Sequence, residues 1–167
     1  MLILNINGPI NSGKSTVSKI LVKILPNATF IEVDELMSDE EEKKLGLGME
    51  AGWKERERRL NEKLLSLKQS HEYETIIFAY PIAEESYKTW SSMADDDTRF
   101  INITLAPSLK VCLKNRGTRE LTDWEKNRIR EMYNEGYQKR PYSDLIINND
   151  NQNPEQTAEI IKNFVET

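Results

Sequence analysis

Gly8-Pro9-Ile10-Asn11-Ser12-Gly13-Lys14-Ser15 has the spacing G-x-x-x-x-G-K-S, that of a phosphate-binding P-loop. The residue types dictate the chemistry. The glycines let backbone N–H groups turn inward around phosphate oxygens. Lys14 can reach the β- and γ-phosphates of a nucleotide, and the Ser15 hydroxyl can ligate Mg²⁺. The expected nucleotide-binding stretch runs from Gly8 to Thr16. It requires a strand before it and a helix after it. Leu2-Ile3-Leu4-Asn5-Ile6-Asn7 reads as a buried strand, and residues 16–25 read as a helix whose N-terminus favours an anion. The plainer alternative is a Gly-rich strand-to-helix turn with an incidental lysine, which those flanks argue against.

A second carboxylate-bearing position follows the next strand-like run. Phe30-Ile31-Glu32-Val33 leads into Asp34, which is expected near the γ-phosphate end. A carboxylate there can accept the proton of an attacking hydroxyl, or hold Mg²⁺ through water. It could equally cap the following helix. Glu35 is a lesser candidate. Arginines cluster in Lys114-Asn115-Arg116-Gly117-Thr118-Arg119-Glu120-Leu121. Gly117 can end a helix, and an Arg-rich lid over residues 116–121 would place Arg116 and Arg119 on the phosphates. Exposed arginines paired with Glu120 or Asp123 are the alternative. The catalytic candidates are therefore Lys14, Asp34, Arg116 and Arg119, and the metal candidates Ser15 and Asp34.

These residues need a scaffold. Strands are expected over 28–33, 74–79, 99–105 and 144–147, each short and rich in β-branched or aromatic residues. Helices are expected over 34–44, 50–69, 82–93, 107–116, 122–136 and 154–165, the last started by Pro154. This alternation predicts a three-layer α/β/α fold built on an open, doubly wound parallel sheet, with residues 1–167 as one domain. Ligands in such sheets bind beyond the carboxyl ends of the strands. The third strand ends in Tyr80-Pro81 with no acid, so metal binding rests on Ser15, phosphate oxygens, water and Asp34. Tyr80 either lines the acceptor pocket or packs. Residues 44–60, with Gly46, Gly48, Gly52 and Trp53, suit either an acceptor flap or an ordinary helix connection. One of Arg56, Arg58 and Arg59 could meet an anionic acceptor, but most of them read as a solvated face, as do the runs 39–44 and 95–97.

Composition narrows the partners. A net charge of −5 and a pI near 5.1 leave no basic excess for a nucleic-acid backbone. No apolar run approaches the ~20 residues of a membrane span, so a cytoplasmic protein is expected. The single Cys112 reads as a buried helical thiol, and the single His71 as a surface residue, which disfavours zinc.

The P-loop, Asp34, the Arg116–Arg119 lid and Ile146-Ile147-Asn148-Asn149…Pro154 together resemble the small P-loop kinases, among them shikimate kinase, gluconate kinase and chloramphenicol phosphotransferase. The segment from Phe30 to Leu36 looks most like the chloramphenicol phosphotransferase type, in which the equivalent aspartate acts on the acceptor hydroxyl. The resemblance implies a five-stranded sheet in the order 2-3-1-4-5. It implies ATP with Mg²⁺ and a small-molecule hydroxyl as acceptor. It also implies adenine held between the lid arginine and the loop from Asn149 to Asn153. The chain departs from shikimate kinase in its arginine set and in lacking a glycine-rich end to the third strand. A nucleotide kinase would show Asp-Arg where Tyr80-Pro81 stands. The Asn-Lys-x-Asp and Asp-x-x-Gly motifs of a GTP switch are absent. The intact Lys14-Ser15 pair argues against a non-catalytic ATP-binding regulator. Oligomeric state is left open.

Overall fold

In the computed structural model, which describes residues 1–115 and 120–167, the five strands run in the order β2-β3-β1-β4-β5. They are β1 Leu2–Asn7, β2 Ala28–Ile31, β3 Thr75–Ala79, β4 Arg99–Leu105 and β5 Leu145–Ile147. All neighbours are parallel, and β1 pairs with β3 and β4 on its two sides (Ile3↔Ile76, Ile3↔Phe100). Parallel pairing requires crossovers, and the helices that make them cover both faces. The helices are α1 Lys14–Ile24, α2 Asp39–Lys44, α3 Met49–Ser70, α4 Glu84–Ser91, α5 Leu109–Cys112, α6 Asp123–Asn134 and α7 Pro154–Val165.

On one face, Leu4, Ile6, Ile77 and Ile103 pack with Val17 and Leu21 of α1 and Ala158 and Ile161 of α7. On the other, Ile3, Ile76 and Phe78 pack with Leu60 and Leu64 of α3 and Trp90 of α4. Burial on both faces is why these strands show no clean polar alternation. Each fully buried aliphatic side chain contributes roughly 1.5–3 kcal/mol.

Polar residues interrupt the second face at the carboxyl end of β1. Asn5 and Asn7 share the face of Ile3 because successive strand residues alternate, and both are fully buried. Asn5 Nδ2 donates to Asn102 Oδ1 at 2.9 Å and to the Tyr80 carbonyl at 3.2 Å, while its Oδ1 accepts from Tyr80 N at 3.1 Å. Asn7 Nδ2 donates to Thr104 Oγ1 and the Tyr137 carbonyl, and its Oδ1 accepts from Ile82 N. Asn102 Nδ2 continues to the Tyr142 carbonyl. The central strands thus clasp the chain leaving β3 and the segment preceding β5.

β4 and α7 fall where the sequence places them; other boundaries move. β2 stops at Ile31, and Val33–Leu36 forms a 3-10 turn. The helix expected over 34–44 is broken at extended Met37, because Ser38 Oγ accepts from Glu41 N and starts α2 afresh. Of the helix expected over 107–116, the described helical part is Leu109–Cys112. Residues 45–48 connect α2 to α3, and Trp53 lies on α3. Asn153 caps α7 in a capping box with Gln156, behind Pro154 at the first turn.

Candidate active site

Gly8 opens the P-loop with φ of 145°, and a Cβ there would lie 2.6 Å from the Leu105 carbonyl oxygen. Only glycine permits that conformation and that approach. Gly13, with φ of 98°, precedes α1. The loop is tied from both sides. Asn11, in the left-handed region, donates from Nδ2 to the Cys112 and Lys114 carbonyls at 2.8 and 2.9 Å. The buried Asn149 donates from Nδ2 to the Ser12 carbonyl at 3.0 Å. Lys14 Nζ donates to the Pro9 carbonyl at 2.7 Å, which folds the ammonium over the loop. Ile10 points away, packing against the cluster of Cys112, Leu121 and Ile129.

A cavity of about 470 Å³ opens along the loop and the start of α1. Gly13, Lys14, Ser15 and Thr16 line one side, and Asn149 and Gln152 the other. The expected adenine loop and the P-loop therefore border one space.

The carboxylate nearest the P-loop serine is Glu32, which the sequence reading did not single out. Its Oε1 accepts from Ser15 Oγ at 3.1 Å, and its Oε2 pairs with Lys19 Nζ at 2.9 Å. That hydrogen bond, with the charge of Glu32, holds the Lys19 ammonium above its usual range. The available signal was position: Glu32 stands directly beyond β2, two residues before Asp34. Asp34 itself is exposed in the 3-10 turn, and its carboxylate has no hydrogen bond or ion pair among the described residues. It caps no helix, since Ser38 caps α2. Glu35 lines a second space of about 420 Å³ along the outer edge of β2.

Beyond β3, the Tyr80 ring is buried against Trp90 and meets the edge of Trp53. Its hydroxyl donates to Glu57 Oε2 at 3.0 Å, and Ser86 Oγ donates to Glu57 Oε1 at 2.6 Å. Burial, and then the neighbouring Glu57 carboxylate, push the Tyr80 phenol up, so it remains a donor. Tyr80 thus packs and also binds Glu57.

The arginines of α3 differ from a solvated face. Arg56 is buried, bonded to Glu42 and the Met37 carbonyl. Arg59 is bonded to Glu41, Glu55 and the Leu36 carbonyl. Arg58 is exposed, with Glu55 and Glu62 as partners. The acidic run 39–44 is consequently half engaged. Arg128 of α6 pairs with Glu131 on the same helix and with Glu135 just past its end. Cys112 is buried, as expected, with Tyr133 Oη donating to its Sγ at 3.3 Å, and His71 is exposed. Arg116 and Arg119 lie outside the described residues. Among the described residues there is no cluster of three His, Cys, Asp or Glu side chains that could hold a metal, and no helix long and apolar enough to cross a membrane.

A P-loop at the end of the central strand of a 2-3-1-4-5 parallel sheet defines the class: a small P-loop kinase fold. The shikimate kinase family profile matches residues 10–166, and the chain belongs to that family. It is accordingly an ATP-dependent phosphotransferase acting on a small-molecule hydroxyl. The fold is shared with solved structures across nearly the whole chain. Shikimate kinase from Acinetobacter baumannii in complex with shikimate is 18% identical with a TM-score of 0.66, over 99% of this chain and 92% of that one. A gluconokinase from Sinorhizobium meliloti 1021 is 16% identical with a TM-score of 0.68, over 98% and 95%. The tunicamycin resistance protein of Deinococcus radiodurans is 22% identical with a TM-score of 0.67, over 99% and 96%. No curated protein sequence matches the chain.

Proposed function

We propose that residues 1–167 work as one kinase domain, in which the P-loop holds Mg·ATP and the ends of β2 and β3 hold the acceptor. The observation that carries this is that Lys14 and Ser15 line the cavity between the P-loop and the Asn149 loop, with the Glu32 carboxylate hydrogen-bonded to Ser15. Backbone N–H groups from Gly8 to Ser15, with the N-terminus of α1, bind the phosphates. Lys14 leaves the Pro9 carbonyl to neutralise the β- and γ-phosphoryl oxygens. Asn149 and residues 150–153 border the adenine, and Arg116 and Arg119 are the cations assigned to the phosphates.

Ser15 and Glu32 fit a magnesium site of the kind completed by phosphate oxygens and water, where one or two protein groups suffice. When bound, Mg²⁺ neutralises charge developing between the β- and γ-phosphoryl groups. Asp34, exposed and unpaired, accepts the proton as the acceptor oxygen bonds to the γ-phosphorus and the bond to the β-phosphoryl oxygen breaks, releasing ADP. Asp34 and Ser15 would also be the pair contributing metal contacts if Asp34 instead acts through water. The acidic net charge and the absence of a long apolar helix among the described residues support a cytoplasmic enzyme with no nucleic-acid or membrane partner.

The test is Asp34→Asn. With Mg·ATP and a screen of sugars, polyol acids and antibiotics as acceptors, kcat should fall by about 100-fold or more, with ATP affinity unchanged. Full turnover in the variant removes Asp34 from the mechanism.

A further inference from the structure

The Asp34 carboxylate has no hydrogen bond or ion pair among the described residues, so the backbone beneath it sets its position. That backbone is the 3-10 turn Val33–Leu36, entered through the bond from Glu35 N to the Glu32 carbonyl at 3.1 Å. A 3-10 turn this short has poor internal bonding and depends on what holds its ends. The near end is anchored. β2 pairs with β3 as far as Ile31, Val33 is buried, and the Glu32 side chain is bonded to Ser15 and Lys19.

The far end is anchored by two cations of α3. Arg59 Nη1 donates to the Leu36 carbonyl at 2.8 Å, and Arg56 Nη2 to the Met37 carbonyl at 3.2 Å. The last carbonyls of a helical turn lack internal partners, and these arginines supply the donors. Both side chains are themselves fixed. Arg59 Nε is bonded to Glu55 at 2.9 Å and its Nη2 to Glu41 at 2.6 Å. The three nitrogens of one rigid guanidinium thus join α3, α2 and the turn. Arg56 is buried, and its Nη2 also donates to Glu42 at 2.8 Å. Gly52 makes room for that pair, since a Cβ there would collide with the Glu42 carboxylate. A glycine inside a helix is costly, and here the Glu42–Arg56 approach requires it. Arg58 is different: it is exposed, and its partners Glu55 and Glu62 lie on α3 itself.

We propose that Arg59, seconded by Arg56, is a positioning residue for Asp34. By holding the Leu36 and Met37 carbonyls, the two arginines fix the turn from its far side, and the carboxylate keeps its place relative to the P-loop. They act through the backbone, without touching nucleotide or acceptor. Glu41 and Glu42 of α2 are the counter-charges that keep them there. This inference rests on the role of Asp34 proposed above and adds what places that residue.

The test is a double-mutant cycle between Arg59→Met and Asp34→Asn, with Arg59→Lys and Arg58→Met alongside. Phosphate release from Mg·ATP with water as acceptor is followed, and phosphoryl transfer to shikimate and to gluconate. Displacement of a fluorescent ATP analogue gives ATP affinity, and thermal melts confirm the fold. Arg59→Met should lower kcat about tenfold or more, because a slightly misplaced reacting group is costly. ATP affinity should stay within about twofold, the mark of a loss confined to the chemical step. In the Asp34→Asn protein the same substitution should change kcat by less than about twofold, since residues acting as one unit are not additive. Arg59→Lys keeps the charge and one donor and should recover part of the loss, and Arg58→Met should match wild type. Equal losses in both backgrounds, a loss carried by ATP affinity, or an unchanged kcat in Arg59→Met overturns the inference. If Arg59→Met does not fold, the cycle is run with Arg59→Lys, whose partial loss must vanish in Asp34→Asn. If ATP fails to bind wild type, the kinase reading fails. If Asp34→Asn keeps full turnover, the role of Asp34 fails and the inference with it. If both stand and the losses add, only the positioning role fails.

Discussion

Ser15 Oγ donates a hydrogen bond of 3.1 Å to Glu32 Oε1, joining the first turn of α1 to the chain just past β2. The pair predicts a metal phenotype. Glu32→Gln keeps the size and an acceptor oxygen but removes the charge. Turnover should fall about 10–100-fold, the usual cost of disturbing a group that supports a metal. The apparent Mg²⁺ requirement should rise, read by titrating kcat/KM against Mg²⁺. An unchanged Mg²⁺ dependence would dissociate Glu32 from the metal.

A second prediction concerns Gly8. An added Cβ would stand 2.6 Å from the Leu105 carbonyl and 2.7 Å from Ser12 Oγ, at a φ of 145°. Gly8→Ala should cost at least about 1–3 kcal/mol from backbone strain alone and weaken ATP binding. Gly48→Ala, where nothing lies within 4 Å and φ is not positive, serves as control and should cost no more than the ~1 kcal/mol of a weaker N-cap on α3. Thermal melts with and without Mg·ATP read both effects.

Much of the fold was legible from the chain. The P-loop, the exact extent of β4 and the capped start of α7 carry local signals: glycine spacing, a β-branched run, and Asn153-Pro154. What was hidden depends on pairing across the sheet. Asn5 and Asn7 look like interruptions of an apolar strand, yet their partners Asn102 and Thr104 are their register neighbours on β4. Arg56 looked like one of several surface cations; it is buried because Glu42, on a separate helix, folds back onto it. Glu32 and Asp34 stand two residues apart in one acidic segment, and only the end of β2 at Ile31 shows which of them reaches Ser15. The lid expected over 116–121 falls largely outside the described residues.

The asparagine clasp has its own consequence. Asn5→Ala strands Asn102 Oδ1 and the Tyr80 N–H in a dry interior, and each unsatisfied buried group costs about 1–3 kcal/mol. The variant should lose at least about 2 kcal/mol in denaturant unfolding. Loss of less than a tenth of that would show the ladder to be incidental.

Acid stability follows from depressed carboxylates. The Lys68 ammonium, bonded at 2.5 Å, holds Asp95 down to about 2 from an ordinary 3.8. Hydrogen bonds from Arg58 and then Arg59 hold Glu55 down to about 2 from 4.5. A folded pKa below the unfolded one adds stability that is fully present above the unfolded value and is lost as pH falls through the folded one. These groups should leave stability level above pH about 5 and erode it between about 4 and 2. Lys68→Met should flatten that slope in melts recorded across pH. An unaltered acid limb would show that the pair is too solvated to matter.

The most direct measurement is transfer of labelled γ-phosphoryl from ATP to an acceptor hydroxyl by wild type and Lys14→Ala, with far-ultraviolet circular dichroism confirming the same fold. Lys14 Nζ donates to the Pro9 carbonyl of its own loop at 2.7 Å, and the side chain is not part of the buried core, so its removal should spare the fold. The account predicts labelled product from wild type and at least a 100-fold loss, roughly 2.7 kcal/mol of transition-state stabilisation, in the variant. Equal transfer by a folded Lys14→Ala protein would contradict it.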